Sequence, residues 1–215
     1  MIDGLMGQRT SNAWAEFQTD IAQGDPTSVD AGSAATLQQQ VANATSNPGC
    51  DFTSVSETQA SIISQCKMQG LHLRDQIAYV LATVEHETAR GRFQPVREGY
   101  YLGEKAEAYR RGLKYYPYYG RGYVQVTWDY NYKLYGDLLE QDLFHKPDLA
   151  MVPSTALYIL VHGFKVGAFT GRPLTNYINQ SGTNFVQARR CINGVDQAEH
   201  IKDLALRYVQ TLPAT

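Results

Sequence analysis

Only three cysteines occur in 215 residues, Cys50, Cys66 and Cys191, and no two form a Cys-x-x-Cys pair. An odd count with these spacings excludes a complete disulfide framework and a thiolate metal site. A Cys50–Cys66 bridge stays open, although free thiols in a reducing compartment are the favoured reading. Long apolar runs are also lacking. The most hydrophobic stretch, Ala156 to Phe164, is too short to cross a bilayer and is interrupted by His162. Residues 1–17 have neither a basic start nor an apolar core, so no secretion signal is expected. Nor is there a charge excess of one sign: 19 basic and 21 acidic residues leave a net charge of −2. No global field therefore draws the chain to nucleic acid or to a membrane surface. Periodic self-similarity is absent apart from a short N-terminal echo. The expectation is a soluble, mainly α-helical protein, read as a monomer, large enough for one good core and a small extra module.

The informative stretch is Tyr79 to Asn131. Apolar residues at Leu73, Ile77, Val80, Leu81 and Val84 recur in steps of three and four, which predicts a helix with one face turned inward. Glu87 continues that stripe, three residues beyond Val84. Desolvation favours the neutral form of a carboxyl group, and a neutral carboxyl is what a general acid needs. The alternative is that Glu87 turns back to water or pairs with Arg90, four residues on. Metalloprotease chemistry of the His-Glu-x-x-His type is excluded, because Arg90 stands where the second histidine would be.

A second acidic residue, Glu98, follows in the loop-like run Phe93 to Glu98. Then comes Tyr118-Tyr119-Gly120-Arg121-Gly122-Tyr123-Val124-Gln125-Val126-Thr127-Trp128-Asp129-Tyr130-Asn131-Tyr132. Val124, Val126 and Trp128 alternate with Gln125, Thr127 and Asp129, which predicts a short strand after a Gly-x-Gly turn. His86-Glu87-Thr88 at a helix end, followed by this longer motif, resembles the family 19 glycoside hydrolases. That family includes chitinases and phage or bacterial endolysins with a lysozyme-like helical core. The resemblance covers roughly Val55 to Leu212 and extends to Lys146-Pro147-Asp148-Leu149 and Arg189-Arg190-Cys191-Ile192-Asn193-Gly194. It implies a general acid at Glu87, a general base at Glu98, and a hydroxyl at Thr127 that helps hold the attacking water. It further implies contacts to sugar from Gln125, Tyr130 and Asn131, with His86, Arg121 and Asn193 also assigned to the substrate site. Glu104 and Glu107 are the other carboxylates offered for the base. A family enzyme of this type inverts the anomeric centre and needs neither metal nor organic cofactor. Tyr123-Val124 and Asp129 depart from the usual Pro-Ile and Asn of the motif.

Asp3-Gly4-Leu5-Met6-Gly7-Gln8-Arg9-Thr10, with Ala13, Trp14, Phe17 and Gln18, resembles half of a peptidoglycan-binding helical repeat. Residues 1–42 are read as that small helical unit, 43–54 as a linker and 55–215 as the lysozyme-like domain with a short β element. Helices are further predicted over Glu57–Gly70, Leu71–Thr88, Glu104–Leu113, Asn131–Leu139, Thr155–Phe164, Leu174–Ile178, Asn184–Ile192 and Ala198–Gln210.

Between Arg90 and Gln125 eight basic residues face three acidic ones, an excess of five positives that suits an anionic polymer or a merely solvated surface. Of fifteen tyrosines, eleven fall between Tyr100 and Tyr135, where flat rings with polar tips could line a glycan groove. The main expectation is a peptidoglycan hydrolase cutting β-1,4 bonds, held in the cytoplasm until released to the cell wall or periplasm. The alternatives are a chitinase acting on N-acetylglucosamine polymers, a lytic transglycosylase, and an inactive glycan-binding protein.

Overall fold

The computed structural model describes residues 54–88 and 92–213. The expected N-terminal unit at 1–42, nearly all of the linker, Cys50 and Arg90 lie outside the described residues. The first helix, α1 (Val55–Met68), opens on a reciprocal cap. Ser54 Oγ accepts the Glu57 N–H at 3.2 Å, and Glu57 Oε2 accepts the Ser54 N–H at 3.0 Å. Two of the donors that a helix start leaves unpaired are satisfied in this way.

Helix α2 (Arg74–Glu87) is the centre of the fold. The sequence stripe predicts one buried face, but every residue from Gln76 to Val84 is buried. The reason is composition: Ala78, Ala82 and Thr83, on what the stripe leaves as the outer side, are small enough to be covered by neighbours. Such a helix, apolar all round, belongs inside a core. Its contacts are α1, the long C-terminal helix and a short hairpin. Gln76 Nε2 donates to the Ile178 carbonyl at 2.9 Å, and Tyr79 stacks on Phe185 and meets Phe164 edge-on.

The other elements follow in order. Strand β1 (Val96–Arg97) leads through a 3-10 turn, Tyr100–Lys105, into α3 (Ala106–Arg111). Strand β2 (Arg121–Gly122) returns antiparallel to β1, with Val96 opposite Gly122 and Arg97 opposite Arg121. Helix α4 (Asp129–Leu139), a 3-10 turn at Pro147–Met151 and the apolar α5 (Pro153–Val166) come next. A 3-10 turn at Leu174–Asn176 enters a hairpin of β3 (Ile178–Asn179) and β4 (Gly182–Thr183). Helix α6 (Phe185–Ala188), a 3-10 turn at Arg189–Cys191 and α7 (Ala198–Thr211) complete the described chain.

Four expectations are corrected. The alternating run Val124–Trp128 is not a strand: Gln125 and Trp128 have φ of 54° and 70°, and only a single bridge joins Val126 to Arg121. The helix expected over Glu104–Leu113 is shorter and preceded by a 3-10 turn, and Leu174–Ile178 gives way to a hairpin. The segment Asn184–Ile192 is split between α6 and a 3-10 turn. Cys66 and Cys191 are buried free thiols. Burial pushes Cys66 far up and Cys191 to about 12. Among the described residues, no helix is long and apolar enough to cross a membrane.

Two tests follow from this packing. His162, from α5, stacks on Tyr158 and meets Tyr135 edge-on, and burial draws its pKa from 6.5 down to about 4, with Lys165 adding to the effect. The unfolded chain then takes up a proton that the folded chain refuses, so stability should fall as pH drops from about 6.5 to about 4. His162→Gln should flatten that slope in denaturant titrations. Gly122 has φ of 86°, and a Cβ there would lie 3.3 Å from the Ala150 carbonyl oxygen. Gly122→Ala should lower stability by about 1–2 kcal/mol, read as a drop in Tm.

Candidate functional site

The two acidic candidates sit in different surroundings. Glu87 occupies the last position of α2, with its side chain 21% exposed. The helix is stopped by Thr88, whose hydroxyl donates to the Val84 carbonyl at 2.6 Å and accepts the Phe93 N–H at 3.1 Å. The threonine of the tripeptide thus closes the helix and turns the chain toward β1. Glu87 does not face an apolar wall, as the stripe predicts. Arg189, itself 4% exposed, donates from Nη1 to Glu87 Oε1 at 2.9 Å and from Nε to the Asp196 carbonyl at 3.1 Å. The partner comes from the far end of the sequence, where periodicity gives no signal. The Arg-Arg-Cys-Ile-Asn-Gly run was legible as a motif, but its link to Glu87 was not.

His86 and Asn193 lie on this same side. The His86 ring stands edge-on to His200 at 5.5 Å. Burial draws His86 below the ordinary histidine value against the pull of Glu87, while Arg189 and His200 reinforce the lowering and Asp196 opposes it. Asn193 is exposed; its N–H donates to the Arg189 carbonyl and its Oδ1 accepts the Gly194 N–H.

Glu98 stands one residue beyond β1, and the strand pair continues through it: its N–H donates to the Gly120 carbonyl at 2.8 Å. Both carboxylate oxygens are held. Oε2 accepts the Gly120 N–H at 2.8 Å and Oε1 accepts the Tyr115 hydroxyl at 2.8 Å, with the Tyr109 hydroxyl farther away at 3.5 Å. Arg110 Nε donates to the Glu98 carbonyl at 2.8 Å. Tyr115 and the Gly120 amide are absent from the sequence expectation, although Gly120 lies within the matched motif. Glu107, another candidate, is instead paired with Arg110 and Arg111. Glu104 is exposed on the 3-10 turn. Among the described residues, no hydrogen bond or ion pair joins Glu87 to Glu98.

The remaining motif residues divide between frame and surface. Arg121 is buried, contrary to the expectation of a sugar contact. It lies 3.6 Å from the Tyr119 ring centroid, donates from Nε to Asp148 Oδ1 at 2.8 Å, and bonds the Pro117 and Tyr119 carbonyls and the Tyr132 hydroxyl through Nη1. Burial opposes the ionised form of Asp148, but hydrogen bonds from Arg121 and then Arg97 win and hold its carboxyl below the usual range. Gln125 also folds inward, donating from Nε2 to the Val96 carbonyl at 2.9 Å. Asn131 Nδ2 donates to the Thr127 carbonyl at 2.8 Å, tying the start of α4 to the loop, and Thr127 is half-buried. Tyr130 is 62% exposed and stacks on Trp128, whose ring also meets Tyr115. Glu98, Tyr115, Trp128 and Tyr130 therefore form one connected patch, and Arg121 and Gln125 hold the loop beneath it.

A cavity of about 620 Å³ between α4 and the following loop, lined by Lys133, Asp137, Glu140, Phe144 and His145 among others, includes none of these candidates. Among the described residues, no cluster of three His, Cys, Asp or Glu side chains is placed to hold a metal ion.

This arrangement can be set beside known proteins. The model of the class I chitinases, glycoside hydrolase family 19, matches residues 52–169. An acidic endochitinase of Petunia hybrida is 34% identical over 85 residues, 40% of this chain and 33% of that protein. Endochitinase CH5B of Phaseolus vulgaris is 32% identical over 110 residues, 46% of this chain and 34% of that protein. The chain thus spans about a third of the length of these curated relatives. Chitinase C from Streptomyces griseus superposes with a TM-score of 0.57 at 23% identity, covering 82% of this chain and 76% of that one. A bacterial family 19 chitinase gives 0.51 at 22%, covering 82% and 94%. These superpositions show the mainly α, lysozyme-like fold. With the family model spanning more than half of its residues, the chain belongs to glycoside hydrolase family 19.

Proposed function

We propose that this protein is a glycosidase that hydrolyses the β-1,4 bonds of an N-acetylglucosamine polymer of the chitin type, with inversion at the anomeric carbon. The observation that carries the reading is the separate mounting of two carboxylates within the family's motif frame. Glu87 is fixed at the end of a helix buried along most of its length, and Glu98 is fixed by the strand pair and two donors. Inversion requires one carboxylic acid to protonate the leaving oxygen and one carboxylate to activate water on the other face, about 6.5–9.5 Å apart. In this scheme Glu87 gives its proton to the glycosidic oxygen as the bond to C1 breaks. Arg189 steadies the carboxylate that forms. Glu98 takes a proton from the water that attacks C1, with the Thr127 hydroxyl as a second hold on that water. Tyr130, exposed and stacked on Trp128, offers a flat face to a sugar ring.

A neutral glycan is favoured over peptidoglycan by the fate of the basic residues. Arg97 and Arg121 pair with Asp148, Arg111 with Glu107, and Arg110 with Glu107 and the Glu98 carbonyl. Four of the seven described basic residues in the segment are thus engaged by the protein itself. Arg92, Lys105 and Lys114 remain exposed and keep an anionic wall polymer as the second reading. The chain's relatives are named as chitinases, which supports the first.

Incubation with chitin oligosaccharides and, separately, with purified sacculi decides between the two. Release of shorter N-acetylglucosamine oligomers is expected, with the α-anomer appearing first in proton NMR. Soluble muropeptides with reducing-end N-acetylmuramic acid, and no action on chitin oligomers, would instead establish the wall reading. Glu87→Gln should lower kcat by roughly 10²- to 10⁴-fold. The amide oxygen still accepts from Arg189, so the circular dichroism spectrum should match the parent's, while Tm should fall because a buried guanidinium loses its anion. Arg189→Met should cost about 3 kcal/mol of stability by removing one partner of a largely buried pair, together with a loss of activity.

A further inference from the structure

We propose that Tyr115 is a positioning residue for the base, fixing the rotation of the Glu98 carboxylate through its hydroxyl. This rests on the reading of Glu98 as the group that activates water. A carboxylate at the end of three free torsions sweeps its oxygens through several orientations, and only a narrow set aims a lone pair at a water in line with C1. Here Gly120 N–H fixes Oε2 and the Tyr115 hydroxyl fixes Oε1, each at 2.8 Å. An ionised carboxylate has about four lone-pair sites. Two held donors leave capacity for water while setting the plane of the group.

Tyr115 is itself immobilised. Its carbonyl accepts the Tyr118 N–H at 2.7 Å, and its ring lies tilted against Trp128 at 5.2 Å, with the Lys114 ammonium 5.1 Å from the Trp128 ring centroid. Burial, with the bond to Glu98 adding to it, raises the phenol to about 12, so it stays a donor at any pH where the enzyme would act. The neighbouring aromatics do different work. Tyr116 stacks on Tyr119, and Tyr118 packs between Tyr132 and Phe144. Of the Tyr-Tyr-Pro-Tyr-Tyr run, Tyr115 supplies the hydroxyl that reaches Glu98. Tyr109 approaches the same oxygen at the long limit of a hydrogen bond and from an exposed ring, so its hold is the weaker.

The test is a mutant cycle on a chitin oligosaccharide. Tyr115→Phe should lower kcat about 10- to 100-fold with KM within twofold, because a small misplacement of the base costs rate and not binding. Tyr116→Phe, the control from the same run, should leave kcat unchanged. In a Glu98→Ala background, azide replaces water: its nitrogen bonds to C1 as the glycosidic C–O bond breaks, and Glu87 protonates the leaving oxygen. There the further Tyr115→Phe change should leave the residual and azide-assisted rates unaltered, since the group it positions is gone. A Tyr115→Phe enzyme with parental kcat overturns the proposal. So does an equal loss of rate with and without Glu98, which would make Tyr115 a general scaffold. Parental activity in Glu98→Ala without azide would remove the reading of the base itself, a failure separate from the other two.

Discussion

The buried guanidinium of Arg121 is the interaction on which the candidate site depends. One planar group reaches Asp148, two backbone carbonyls at Pro117 and Tyr119, and the Tyr132 hydroxyl, and it lies over the Tyr119 ring. A cation taken out of water is tolerated only when its donors are met and an anion stands near. The segment from Pro117 to Tyr119 must therefore close around it. Gly120 follows directly, and its N–H and C=O clamp Glu98. The arginine of the matched motif thus shapes the backbone that holds the Glu98 carboxylate.

The two halves of the site are built on different physics. Around Glu87 the order comes from hydrophobic burial: α2 is enclosed along most of its length, and Glu87 emerges where that enclosure ends. Around Glu98 it comes from polar satisfaction. Strands β1 and β2 are two residues each, too short to be stable alone, and they are reinforced by Gln125 to Val96, Arg110 to Glu98 and the Glu98–Gly120 pair. Gly122 at φ 86° and the positive φ of Gln125 and Trp128 carry the tight turns that such a compact polar frame needs.

Much of this was legible from the sequence. The helix ending near Glu87 and the apolar α5 follow from local periodicity, and the lysozyme-like class follows from the motif resemblance; the cap that opens α1 at Ser54 was not read. Periodicity reads helices well because it is a local signal, but it reports neither how many faces are covered nor which distant residue meets a helix end. That is why α2 was expected to have one exposed side, and why the Arg189–Glu87 pair, 102 positions apart, was not foreseen. The alternation at Val124–Trp128 misled for a related reason: period two suits a strand, and here it arises from a turn in which Gln125 folds back on its own backbone. Arg121, Gln125 and Asn131 stand in the motif, but residue type alone does not distinguish a side chain that reaches for sugar from one that braces a loop. The N-terminal echo lies outside the described residues.

The contrast between the two mountings has a consequence for how the molecule comes apart. Amides along α2 exchange with solvent only when the whole core opens, whereas the Glu98 and Gly120 amides sit on a pair of two-residue strands whose opening needs only a few polar contacts to part. Hydrogen-exchange protection should therefore be uneven between the two candidate carboxylates. Mild heat or low denaturant would disorder the seat of Glu98 while leaving that of Glu87 intact, so any activity that needs both would vanish before the bulk of the helices melts.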